Sequence, residues 1–289
     1  MTQSTYYDST LLTAQNDTPA KRPQKLARWA RQSLTAGATS WFAVAVLGQL
    51  MFVIYILGFY GATALGGNPE AWNAVLPNGW EAGNWFGNTV VSLHLVFTVL
   101  IVAGGALQLT PMVRRHWPRF HRMNGRFYMV SAVIMSVGGL IMLWTGNAVG
   151  DLSQHIALSI NALVILLCAA MTVRFAVQRR LDIHRRWAIR LFLAVSGVWF
   201  FRVGLMFWLV ANQGPAGFDP ETFTGPSLTF ISFGQYLIPL AIAELYFRAQ
   251  RSTSITQKLL TTSLLAISTL VTGAGVAAAT MMMWLPRLA

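Results

Sequence analysis

"LHLVFTVLIVAGGALQL", residues 93–109, runs seventeen residues without one charged side chain. A half-buried strand would alternate apolar with polar positions, whereas this run is continuously apolar; coiled as a helix at 1.5 Å per residue, it crosses most of a ~30 Å hydrocarbon core. Working outward from it, comparable runs recur along the 289-residue chain, and spanning helices are placed near 41–60, 90–110, 121–144, 155–175, 186–209, 228–247 and 259–284. A spanning β-barrel would need short alternating segments instead. The expected fold is therefore all-α, a polytopic membrane protein of about seven transmembrane helices. Composition agrees: 55% of residues are hydrophobic, only 10% are charged, and mean hydropathy is +0.51. The lipid bilayer is the first expected partner.

The formal net charge of +12 points toward nucleic acid until the charges are located. Nineteen of the 21 Lys and Arg residues fall in 21–31, 111–126, 173–190 and 248–258, which are alternate connections. The intervening connections 61–88, 146–154 and 210–227 hold no Lys or Arg but carry Glu70, Glu81, Asp151, Asp219 and Glu221. The positive-inside rule accounts for this asymmetry, with the N-terminus cytoplasmic and the chain in a bacterial inner membrane, so no nucleic-acid partner is expected. Residues 1–36 are polar and read as a disordered cytoplasmic segment; 37–289 form the transmembrane domain, with a four-helix core over 90–209. The one cysteine, Cys168, excludes a disulfide and a covalently attached c-type haem.

The 93–109 run leads through a basic loop to "FHRMNGRFYMVSAVIM" (120–135), and "QHIALSINALVILLCAAM" (154–171) leads through another to "IHRRWAIRLFLAVSG" (183–197). Each half opens on a histidine at the outer start of a helix and reaches a second, followed by arginine, at the inner start of the next. Topology turns this spacing into depth: His94 and His155 share the outer leaflet, His121 and His184 the inner one. Neutral imidazoles in facing helices are the ligand set of bis-histidine haem b, and two such haems carry an electron across a bilayer in steps.

Helix phase adds candidates. Gly105, eleven residues after His94, lies about 20° off its face, and Gly139, eighteen after His121, returns to nearly the same face. Each offers a small surface where a helix ligating one haem passes the other. Arg202, eighteen after His184, falls at outer-haem depth, where a propionate is a suitable anion. Helix four departs from the pattern, because bulky Leu166 stands eleven positions after His155. Plainer readings exist for each feature: histidines and Asp182 as interfacial or capping groups, glycine doublets for close helix packing, Arg202 as a snorkelling side chain, and Glu244 as a partner of Arg248 at i+4.

"HRMNGRFYMVSAV" and "HRRWAIR", with upstream His94, resemble the "HR..GR.Y" and "HR.W..R" signatures of the bacterial membrane family catalogued as domain of unknown function 2306, over roughly residues 90–205. The order His94, His121, His155, His184 also resembles, in topology and ligand placement, the cytochrome b561 electron carriers. That resemblance implies two haems b, with alternate helices sharing each; that family's further histidine on the second core helix is replaced by Asn124. The expected function is transmembrane electron transfer from a quinol or cytoplasmic donor to an outside acceptor, with a quinone or a redox protein as partner. The competing class is a non-redox transporter or metal-handling assembly factor, in which the histidines bind protons or a metal or are structural. A third is a membrane anchor feeding a separate enzyme. Helices one, six and seven are expected to pad the bundle or meet a partner.

Overall fold

A computed structural model describes residues 21–76, 79–145 and 150–288. Helix α1 (Lys21–Tyr55) continues through a π-helical turn, Ile56–Gly61, into the short α2 (Ala62–Leu65). After a 3-10 turn (Pro69–Ala74) come α3 (Trp85–Leu109), α4 (Pro111–His116), α5 (Pro118–Trp144), α6 (Leu152–Val177), α7 (Leu181–Val195), α8 (Gly197–Ala211), α9 (Pro226–Arg251) and α10 (Ile255–Ala279). No β-strand occurs among the described residues. Six helical stretches are long and apolar enough to cross a membrane, and α7 with α8, taken as one span bent by 53°, raises the number to seven.

Local chemistry sets the boundaries. Asn84 accepts from the Gly87 amide at 2.8 Å to open α3, Asp151 from Gln154 at 3.0 Å to open α6, and Ser254 from Gln257 at 3.2 Å to open α10. Pro111, Pro118 and Pro226 occupy first-turn positions, where a missing N–H costs nothing. At the other end of α9, the buried Lys258 ammonium donates to the carbonyls of Ala249, at 2.6 Å, and Ser252, neutralising a helix C-terminus.

Two differences from the sequence reading stand out. The polar stretch expected to be disordered is helical from Lys21 onward, because its alternating Lys, Arg, Ala and Leu residues extend the first span; residues 1–20 lie outside the described residues. The fifth span is not straight but bends by 53° at Ser196, the residue between α7 and α8.

Packing separates two layers. Helices α3, α5, α6 and α7 follow one another around a ring, each against the next, with α7 also touching α3. Beside it, α1 lies along α10, α10 packs on α8, and α9 bridges α8 to α6 and α7. The interior is rich in aromatic and small residues, with Trp284, Leu191, Leu228, Ala132 and Ala279 fully buried. The perimeter is apolar instead: Leu47, Leu93, Leu163 and Leu270 are all more than half exposed. So much outward hydrocarbon suits lipid rather than water.

Candidate functional site

In the ring, α3 stands across from α6 and α5 across from α7; extensive packing joins only neighbours around the circle. The two predicted histidine pairs therefore sit on diagonal helices. His121, His155 and His184 each lie in the first turn of their helix. His94 does not: α3 starts at Trp85, so His94 lies in the third turn, roughly 14 Å along the axis. All four rings are half-buried.

At the basic end, His184 Nδ1 stands 3.0 Å from the Thr172 carbonyl, an acceptor that draws the ring proton to Nδ1 and turns the Nε2 lone pair free. His121 lies within electrostatic range of His184, Arg114 and Arg122. Its Nε2 is 3.5 Å from the Gln108 amide nitrogen, and its Nδ1 is buried without a partner among the described residues. Here α3 and α5 are clasped by Asn124, which donates to the Gly104 carbonyl at 2.9 Å and to Gln108 Oε1 at 3.0 Å. Gly105 has no free space. A methyl there would sit 3.0 Å from Tyr128 and 3.1 Å from Phe192, so this glycine lets side chains of α5 and α7 pack against α3.

At the acidic end, His155 meets the Trp144 indole edge-on, with centroids 5.8 Å apart, and its Nε2 is buried with no partner among the described residues. Asp151, one turn earlier, accepts from the Ser153 hydroxyl at 2.6 Å and from the Gln154 amide. The hydroxyl first, then the amide, hold its carboxyl below the usual aspartate value. A methyl at Gly138 or Gly139 would meet nothing within 4 Å, so α5 has open space where it passes this level.

The break at Ser196 removes the straight-helix phase that related Arg202 to His184. Arg202 turns toward α1 instead, with its guanidinium 5.4 Å from the Phe52 ring, Nη1 donating to the Val198 carbonyl at 3.2 Å, and Tyr55 and Tyr60 in electrostatic range. It also lies in range of His94. No carboxylate pairs with it among the described residues. His94 and Arg202 are both half-buried.

Several contacts lie beyond periodicity. Gln108, Thr172, Trp144 and Phe52 hold the candidate residues, and only their placement near helix ends hinted at it. Glu244 pairs with Arg190 of α7, Oε1 to Nε at 2.6 Å, rather than with Arg248, because α9 turns that face toward α7. Asp182 lies in the first turn of α7 but accepts no capping bond; Arg180 holds the cap position. No group of three or more His, Cys, Asp or Glu side chains among the described residues is placed to hold a metal ion, whereas an axial pair needs only two.

The sequence profile of a family described as predicted membrane protein, DUF2306, matches residues 91–247, over half of the chain. The chain belongs to the DUF2306 family. The matched region runs from the second turn of α3 to near the end of α9, so the DUF2306 part holds the whole ring with α8 and α9, while α1 and α10 lie outside it. No curated protein and no solved structure matches the chain.

Proposed function

We propose that this DUF2306 protein transfers electrons across the membrane through two haems b, one between His94 and His155 and one between His121 and His184. The observation that supports the reading is one histidine on each of the four ring helices, His121 and His184 in first turns at the basic end, His155 in a first turn at the acidic end and His94 in the third turn of α3. Haem b, when bound, supplies one-electron chemistry at each end.

The chain's own groups do the remaining work. The Thr172 carbonyl orients His184 and selects its tautomer. The Nε2 of His155 is buried without a partner among the described residues, and His155 would hold the haem iron through it. Open space at Gly138 and Gly139 accommodates a flat group at the same level, and Arg202 offers a cation there without a competing carboxylate. The fit is closer at this end than at the basic one, where Gln108 faces His121 and Gly105 is filled. Those two contacts favour a second reading, in which the basic-end histidines are structural and the protein is a non-redox membrane protein. Orientation follows the charge asymmetry: the basic connections face the cytoplasm of a bacterial inner membrane, and a quinol or a cytoplasmic donor approaches from there.

A reduced-minus-oxidised absorption spectrum of detergent-purified protein, with pyridine haemochrome stoichiometry, tests this. The expected result is about two haems b per chain. His94→Ala or His155→Ala is expected to remove one, and His121→Ala or His184→Ala the other. No haem under conditions that load a control cytochrome sinks the proposal in favour of the non-redox reading.

A further inference from the structure

Between the ring helix α7 and the helices α1, α8, α9 and α10 of the second layer lies a cavity of about 770 Å³, which Leu109, Pro111 and Arg114 also line. Its walls on α9 extend from Phe230 to Tyr246, about 24 Å at 1.5 Å per residue, which exceeds one leaflet of a ~30 Å hydrocarbon core. Between those levels the lining is mostly apolar, which makes the cavity a lane suited to a hydrocarbon chain.

Its two ends differ. Toward the acidic face it is lined by Trp208 and Phe230, toward the basic face by Arg114, Arg185 and Tyr246. No Asp or Glu is among the described residues lining it; Glu244, two residues from Tyr246, is committed to Arg190, and Asp182, three residues before Arg185, forms no ion pair among the described residues. Tyr246 accepts from Gln250 at 2.7 Å, which leaves its own O–H free to donate. Two guanidiniums and a phenol O–H at the mouth of an apolar lane are donors without an acceptor, and they call for an anion carried on a hydrocarbon chain.

We propose that this lane binds a phosphate-headed lipid, with its head at Arg114, Arg185 and Tyr246 and one chain threaded between α1, α8, α9 and α10. A neutral head such as a quinone leaves both arginines without a counter-anion. The site contains none of the four histidines but shares α7 with the ring, through Arg185, Ile189, Phe192 and Leu193.

The test is native mass spectrometry of the full chain in mild detergent, titrated with phosphatidylglycerol, with phosphatidylcholine of the same chains, with a polyprenyl phosphate and with inorganic phosphate. Phosphatidylglycerol is expected to bind at least tenfold more tightly than phosphatidylcholine. Arg114→Gln with Arg185→Gln is expected to erase that preference, and the paired Lys variant to keep it; both side chains are exposed, so folding is retained and is checked by size-exclusion profile. Gly204→Leu, which projects into the lane, is expected to weaken binding of either phospholipid at least tenfold. A preference for the polyprenyl phosphate makes the occupant a long isoprenoid lipid, and a preference for phosphatidylglycerol makes it a bilayer phospholipid; both uphold the site. Equal affinity for the two phospholipids, an unaltered preference in the double Gln variant, displacement by equimolar inorganic phosphate, or a co-purified quinone in place of a phosphate lipid overturns it.

Discussion

The Asn124 amide bonds the Gly104 carbonyl and Gln108 across to α3. Interhelical hydrogen bonds in membranes average about 0.6 kcal/mol and reach roughly 1.7. Asn124→Leu is therefore expected to lower stability by about 1 kcal/mol in a denaturing-detergent titration, and to loosen the α3–α5 contact on which His121 rests. Asp151 acts through charge. Its folded pKa lies below the ordinary value of 3.8, so the cap's contribution is present above that value and is lost as pH falls through the folded one. Asp151→Ala is expected to cost about 1 kcal/mol at pH 7, and the deficit relative to wild type should vanish in strong acid. A pH-independent deficit would show that the carboxylate charge is not what matters there.

The element that most shapes the site is the bent pair α7–α8. A straight helix would have carried Arg202 back to the face of His184; the break at Ser196 delivers it to α1 and to the level of His94. The break is held by other helices. Gln49 of α1 donates to the Ser196 hydroxyl at 2.9 Å, and Asn161 of α6 donates to the Ala194 carbonyl at 3.2 Å. Farther along, α10 comes so close to α8 that a methyl on Gly275 would lie 2.5 Å from the Val203 carbonyl oxygen. Gly275→Ala must push the two helices apart, with an expected loss of about 1–3 kcal/mol in the same detergent titration. Gly139→Ala, with nothing within 4 Å, is expected to be neutral for the protein without cofactor and to matter only when a group fills that space.

At the scale of the whole molecule, the ring and the second layer divide the labour. Apart from the first six residues of α3, the ring is within the DUF2306 match and holds the four histidines, while α1, α8, α9 and α10, with α7, line the lane. Lipid depletion is therefore expected to lower the thermal stability of the second layer before that of the ring, read by hydrogen exchange of α10 against α6. Protection lost together in both would mean that the two layers unfold as one unit.

Fold class, span positions and the sidedness of the charges follow from the sequence, because hydrocarbon tolerates only backbone that satisfies its own hydrogen bonds, and long apolar runs state this locally. The distribution of the histidines also follows, with His94 and His155 in the half of their helices nearer the acidic connections and His121 and His184 nearer the basic ones, since a membrane span turns residue spacing into depth. Tertiary structure decided the rest. The direction of Arg202 depends on a break whose stabilising partners are Gln49 and Asn161, far away in the chain. The filling of Gly105 depends on Tyr128 and Phe192, and the partner of Glu244 on how α9 leans against α7. Periodicity fixes which face of a helix a residue occupies; only packing fixes what that face meets.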